Sequence, residues 1–390
     1  MKNESRKINW LVIAVLVVGV IAIFAPMYYF RITGGTANDF GGHIVFTYSM
    51  LNRAPLTPEV LGHPLLQVVL SGMVWISRWH IDPFAAMIIL QVACQVALAL
   101  ILYFWFGKLN RRGGDWLRAL LAASLTIVAP VLALIFVDNE FYYGYIDLAN
   151  YHNPTIQLLR PLALISFYFA FRIFDVARNS GWMVGVSAVF VVLSALAKPN
   201  YVLCILPAIV LLAIIWRIRK KDFDWRLLLF GFVIPGTIIL IVQWALVYGI
   251  TGNSETHIVL NPFVEGNFSN YLPWKFLLSI LFPLVATGLF FKKIWRDPYV
   301  QLGWIGFVAG AGMFYLFSEG GKHMLAGNFR WGAQIMLFLL FAAIVRFCLR
   351  LFSEEKTVLW KRLVFWGVYL LHVASGAVYY IHCITGGPYT

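Results

Sequence analysis

Asp39 and His43 stand four residues apart in the stretch GGTANDFGGHIVFTYSMLNRAP, directly after a long apolar run. On a helix that spacing puts a carboxylate and an imidazole on one face. Two readings of Asp39 stand side by side. It is an ordinary helix N-cap, or it is a general base aimed into a cavity, with His43 one turn on to orient a ligand or share a proton. Further along, DNEFYYGYIDLANYHNP carries Asp138, Glu140, Asp147 and His152, and SEGGKHMLAGNFRWG carries Glu319, Lys322, His323 and Arg330. Lys198 opens a Pro-containing turn between two short apolar runs. Arg160 lies beside Pro161 inside another run, where an unpaired charge is costly and a partner acid or ligand is expected. Acids, imidazoles and isolated cations of this kind suit chemistry on a charged ligand; a solvated loop surface would also carry them.

The elements that must position these residues follow from composition. The chain has 390 residues, 61% hydrophobic and only 12% charged, far from the balance of a soluble domain. Several apolar runs are long enough to cross a hydrocarbon core. The expectation is an all-α polytopic membrane protein forming one transmembrane domain over residues 1–390. The run Leu11 to Phe30 is too long for a signal-peptide core and lacks a small-residue cleavage site, so it reads as an uncleaved first span. Cys94, Cys204, Cys348 and Cys383 are scattered through apolar segments and read as packing residues.

The net charge of +13 does not imply nucleic acid, because 22 of the 30 basic residues cluster in short loops at the ends of apolar runs. That is the positive-inside signature. Leu65 to Ile76, about a dozen residues, is too short to span, and a crossing there would flip most of the basic clusters to the outside. It therefore reads as a helix lying on the outer surface. Eleven spans are expected near 9–30, 84–106, 116–137, 156–174, 182–197, 201–216, 227–249, 273–291, 299–317, 331–347 and 362–383. The first outer loop is then 31–83, with further outer loops at 138–155, 250–272 and 318–330. In the first, His43, Phe46, Met50 and Arg53 share a stripe with Asp39, and Ile44, Val45, Tyr48 and Leu51 are expected to rest against the membrane boundary.

An acid shortly after the first span, a helix ending LNRAPLTPE, and then HPLLQVVLSGMVWISR together resemble the first outer loop of GT-C glycosyltransferases. The second span, opening DPFAAMIILQ and ending YFWFGKLNRRGG, is also similar. The resemblance covers roughly the first 140 residues. Its phrase His63-Pro64-Leu65-Leu66 has one proline and no Tyr where the family has PPLYYLL-like wording. It implies a GT-C-like fold with two membrane-lying helices in the first outer loop. It also implies transfer of a sugar from a polyprenyl-phosphate donor to a cell-envelope glycan or lipid-linked acceptor outside the membrane.

Such a transfer needs a base for the acceptor hydroxyl, cations for the departing phosphate and an apolar groove for the isoprenoid tail. The resemblance assigns the base to Asp39, with inversion at the sugar carbon since one carboxylate suffices. Asp138, Glu140 and Asp147 stand as alternative bases. Lys198, Arg330, Lys322, His323 and Arg160 are the phosphate or donor candidates, and Tyr151, His152 and Glu319 the acceptor or sugar contacts. The spacing shows no HExxH or paired Cys/His motif, so no metal or other cofactor is expected; oxygen ligands for a hard divalent cation exist on the same face. Nothing indicates a nucleotide or nucleic-acid partner. The expected partners are a polyprenyl-phosphate sugar, a glycan or lipid-linked acceptor and membrane lipid. The expected location is a bacterial cytoplasmic membrane, with the N-terminus cytoplasmic and the site on the outer face. A polysaccharide polymerase or ligase, or a non-enzymatic lipid-linked-sugar flippase, remains an alternative.

Overall fold

The computed structural model describes residues 8–34, 38–107, 113–175, 181–249, 257–267, 269–321, 324–325 and 327–387. Lys322 and His323, two of the donor candidates, lie outside them, as do seven residues of the basic clusters: Lys2, Arg6, Lys7, Lys108, Arg111, Arg112 and Arg178.

The chain opens with α1 (Trp10–Thr33), α2 (Phe40–Leu51), α3 (Pro58–Gly62), α4 (Leu65–Ile76) and α5 (Pro83–Trp105). Then come α6 (Gly114–Ile127), α7 (Ile135–Asp138), α8 (Pro154–Arg172), α9 (Trp182–Ala197) and α10 (Asn200–Ile218). α11 (Trp225–Leu228) and α12 (Ile234–Trp244) run on through π turns as one rod, Trp225–Gly249. The rest is α13 (Leu272–Ile294), α14 (Pro298–Leu316), α15 (Arg330–Glu354) and α16 (Leu359–Ile384). Among the described residues the sheet is one short antiparallel pair, β1 (Ile258–Leu260) with β2 (Phe317–Glu319), Ile258 opposite Glu319.

Nine helices among the described residues are long and apolar enough to cross a membrane, which makes this an all-α polytopic membrane protein. They are α1, α5, α8, α10, the Trp225–Gly249 rod and α13 to α16. Two of the eleven expected spans are shorter helices. α9 has 16 residues, about 24 Å at 1.5 Å per residue. The expected span 116–137 is not one helix: α6 stops at Ile127 because Pro130 supplies no N–H and pushes Ala129 out of helical geometry.

Beyond Ile127 the chain runs extended, with backbone groups that need partners inside the protein. α16 and α13 supply them. Ala129 N–H donates to the His372 carbonyl (3.2 Å) and the Ala129 carbonyl accepts from His372 Nδ1 (2.7 Å). Val131 N–H reaches the Leu278 carbonyl (3.3 Å), and Leu132 N–H the Ser375 hydroxyl (3.1 Å). Gly376 makes the approach possible, since a Cβ there would collide with the Ile127 carbonyl.

α15 is apolar all round and accordingly buried, from Arg330 through Val345 without a break. α14 packs on it through Gly303, Gly306 and Gly310; a Cβ on Gly310 would lie 2.7 Å from Ala333 N.

Helix ends that the charge pattern places on one side meet at one end of the bundle. Arg31 at the end of α1 donates to the Gly387 carbonyl beyond α16 (2.8 Å), and Asn200 at the start of α10 reaches the Asn328 carbonyl before α15 (2.9 Å). The opposite end gathers Arg118 with Tyr103, Asp224 with Ile173, and Arg346 with Asp297. α6 starts at that opposite end, and its continuation reaches α13 at the first end, where Asp138 meets Lys275.

α2 departs from the expected stripe. Its buried face is Phe40, Ile44 and Thr47, whereas Val45 is exposed, so Ile44 packs on the bundle rather than on a membrane boundary. α4 spans 12 residues, about 18 Å, and buries Leu66, Gln67, Leu70 and Val74 while exposing Trp75 and Ile76. It is a short amphipathic helix, as its length requires.

Candidate functional site

Asp39 is the N-cap of α2, but its carboxylate makes no capping bond. The neighbouring Asn38 Oδ1 accepts from Phe40 N–H instead (2.9 Å), which leaves the Asp39 side chain available to other elements. Backbone pairing of Asp39 N–H with the His152 carbonyl (3.0 Å) fixes α2 against the start of α8. There Asn153 Nδ2 donates to Asp39 Oδ2 at 2.6 Å. Asn153 is itself the N-cap of α8, its Oδ1 accepting from Ile156 N–H (3.1 Å) and from Thr155 Oγ1 (2.7 Å). Lys198 Nζ in turn donates to Thr155 Oγ1 (3.0 Å). A hydrogen-bonded chain thus runs from Asp39 through Asn153 and Thr155 to Lys198.

The electrostatics follow from burial. Burial pushes the Asp39 carboxyl above its ordinary value, opposed by the Lys198 ammonium and the Asn153 hydrogen bond. Lys198 is 7% exposed; burial pulls it down to about 8 against the attraction of Asp39 and Glu319. Its Nζ sits 4.5 Å above the Trp331 ring, a cation–π contact at the first turn of α15.

Arg330, one residue earlier, lies over the rings of Tyr142 (4.7 Å), Phe314 (5.4 Å) and Tyr143 (5.6 Å). Between the two cations stands His152, edge-on to Tyr142 (4.9 Å) and tilted against Trp331 (5.9 Å). Burial first, then Arg330, Arg31 and Lys198, drive the His152 imidazole down to about 3, so it is neutral at ordinary pH. His43 has the same fate: burial, with His63 and Lys198 nearby, takes it down to about 3. Its Nδ1 is 2.7 Å from Gln67 Nε2 on α4.

The structure therefore brings Asp39, His43, His152, Lys198 and Arg330 into one half-buried cluster, with Glu319 at its edge. Glu319 Oε2 accepts from Asn328 Nδ2 (2.7 Å) and the side chain also bonds Tyr248. The other candidates sit elsewhere. Asp138 forms an ion pair with Lys275 (2.7 Å), a lysine with no exposed surface that also donates to the Tyr143 carbonyl (2.7 Å). Glu140 N–H bonds Asp138 Oδ1 (3.1 Å), and burial raises the Glu140 carboxyl against the pull of Lys275.

Asp147 is buried and turns back on the Ala149 N–H (3.0 Å). Burial raises it to about 8, against those backbone bonds and the more distant Arg160 and Arg330. Arg160 belongs to a deeper layer, over the Phe338 ring (4.4 Å) and within electrostatic reach of Tyr28, Tyr151 and Asp147. Tyr151 stacks on Tyr379 (5.6 Å) and packs against Phe24 (6.2 Å), inside the core.

A mainly apolar cavity of about 630 Å³ opens between α13 and α14, lined by Leu272, Pro273, Phe276, Ala311 and Tyr315 together with Phe263 and the polar Ser269 and Asn270. It adjoins the cluster through Phe314, which touches both Tyr315 (4.7 Å) and Arg330. Among the described residues no group of three or more His, Cys, Asp or Glu could hold a metal ion.

Asn153, Thr155, Gln67, Trp331, Tyr142 and Lys275 were not singled out by the sequence reading. For Asn153 a signal existed, since Asn followed by Pro154 is the pattern of an N-cap and first helical residue. The other five look like ordinary span or loop residues until the helices are assembled. Comparison of the whole chain with protein-family models finds no match, and comparison with curated proteins finds none either.

Proposed function

We propose that the protein is a membrane glycosyltransferase of GT-C type, moving a sugar from a polyprenyl-phosphate donor to a cell-envelope glycan or lipid-linked acceptor on the outer face of the membrane. One observation carries the reading: the buried chain Asp39–Asn153–Thr155–Lys198, with Arg330 beyond Trp331 and an apolar cavity beside it. Cations held together at a half-buried site suit an anionic ligand, since low local dielectric strengthens their attraction for it. Among the described residues Arg31, Lys198 and Arg330 all act on His152, with Asp39 and Glu319 beside Lys198.

In the proposed reaction the acceptor hydroxyl gives its proton to the Asp39 carboxylate as its oxygen attacks the anomeric carbon. The bond from that carbon to the phosphate oxygen breaks, with inversion. The polyprenyl phosphate leaves with the electron pair, its charge met by Lys198 and Arg330, and its tail fits the cavity beside Phe314. Asn153 holds Asp39 aimed, and His43 orients a bound ligand.

The test is transfer from a panel of polyprenyl-phosphate hexoses and pentoses by purified protein, wild type beside Asp39→Asn, with a lipid-linked or envelope acceptor fraction. Donor consumption by wild type and its loss in a folded Asn variant would support the reading. Donor consumption that survives Asp39→Asn would move the base elsewhere. Binding of lipid-linked sugar with no consumption would favour the flippase or polymerase reading.

A further inference from the structure

Gln67 has no exposed surface, yet it sits in α4 among Leu66, Leu70 and Val74. A buried primary amide is costly unless its groups are hydrogen-bonded. Its Nε2 meets one atom, His43 Nδ1, at 2.7 Å, while its Oε1 has no hydrogen-bond partner among the described residues. An amide NH₂ only donates, so a ring nitrogen facing it must accept and carry no proton. The proton of the neutral imidazole then resides on Nε2.

We infer that Gln67 is a positioning residue that holds His43 as its Nε2–H tautomer, so that the imidazole meets a ligand as a hydrogen-bond donor and not as a base. The surroundings agree. His63 ahead of α4 and Lys198 at the α9–α10 turn both oppose a positive charge on the ring and, with burial, outweigh the Asp39 carboxylate one turn back, which would favour one. Burial together with those neighbours keeps the ring neutral until about pH 3.

The identity of the oxygen that Nε2–H meets, on a sugar or an acceptor, rests on the glycosyl-transfer reading; the tautomer does not. Within that reading the work divides cleanly. Asp39 alone receives the acceptor proton, and His43 contributes orientation.

The experiment is nitrogen-15 NMR of the detergent-solubilised full chain labelled at the histidine ring nitrogens, with the His43 signals identified by their loss in His43→Gln. Expected in the wild type is an unprotonated Nδ1 and a protonated Nε2, unchanged from neutral pH down to about pH 4. In Gln67→Glu the new carboxylate accepts from Nδ1–H and stabilises the imidazolium, moving the His43 midpoint up by about one to three pH units. In Gln67→Met, which keeps the length but not the donor, the two tautomers mix.

A wild-type ring protonated at Nδ1 would overturn the inference, since Gln67 would then present its oxygen to the ring. So would a tautomer unchanged in Gln67→Met. The wild-type spectrum decides the first point with no variant needing to fold. Absence of transfer by a wild type that shows the Nε2–H spectrum would sink the transferase reading and leave this assignment standing.

Discussion

The pH dependence of transfer offers a direct test of the Lys198 assignment. Lys198 is buried and its ammonium titrates at about 8, well below an ordinary lysine near 10.4. The difference corresponds to roughly 3 kcal/mol of unfavourable desolvation left after Asp39 and Glu319 have contributed their attraction. A cation that stabilises the departing phosphate is lost as pH rises through its pKa. On the acid side, Asp39 ceases to be a base as pH falls through a value raised above the ordinary aspartate range.

kcat/KM should therefore trace a bell, with its basic limb near pH 8 and its acidic limb shifted above the ordinary aspartate range. kcat reports the bound complex, in which a phosphate beside Lys198 favours the charged form, so its basic limb should lie higher by about one unit or more. Asp147 also titrates at about 8, so the limb alone does not identify its owner. The variants separate them. Lys198→Arg, always charged, should remove the basic limb while keeping part of the activity, and Asp147→Asn should leave the limb in place. The assay is initial transfer rate against pH from 4.5 to 10 with a polyprenyl-phosphate donor. A basic limb that persists at pH 8 in Lys198→Arg would refute the role given to Lys198.

Two further outcomes follow from the same contacts. Lys275→Met removes the buried partner of Asp138, whose side chain is 15% exposed, a loss between that of a surface pair, about 1 kcal/mol, and that of a fully buried one, about 3–5 kcal/mol; thermal unfolding followed by tryptophan emission should show a drop, which the double variant Lys275→Met/Asp138→Leu largely restores. Asn153→Ala removes both the α8 cap, worth about 1 kcal/mol, and the 2.6 Å bond to Asp39; the acidic limb of kcat/KM should move to higher pH, because a hydrogen bond that favoured the carboxylate is gone.

Much of the architecture was legible because apolar length is a blunt and reliable quantity. Leu65–Ile76 declared itself too short to span by its twelve residues, and it folds as a separate short helix. The expected span 116–137 is helical only as far as Ile127, for a local reason that hydropathy does not weigh. Pro130 ends α6, and the apolar stretch that follows is satisfied by His372 and Ser375 more than 200 residues later. A hydropathy profile shows that such a segment is greasy but not that its backbone has lost the helix.

The candidate site divides along the same line. Asp39 drew attention by its spacing to His43, Lys198 and Arg330 as charges beside apolar runs, and the folded chain brings all three together. Arg160, conspicuous for the same reason, proved to belong to a deeper layer under Asp147, since position along a span says nothing about which neighbours face it. The residues that convert the three charges into one unit are uncharged: Asn153, Thr155, Gln67 and Trp331. Each contributes through contacts spanning 24 to 133 residues of sequence, or none would be needed to join α2, α4, α8 and α15.

Their polarity is modest because burial magnifies it. Away from water an amide that aims a carboxylate, or selects a tautomer, acts without competition from solvent. Charged candidates thus announce a buried polar site at the ends of helices, while the neutral groups that set its geometry become visible only once those ends have met. That asymmetry puts the more informative mutations on the neutral residues: removing a charge tests whether the site needs it, whereas Asn153→Ala and Gln67→Met test how the remaining charges and protons are held.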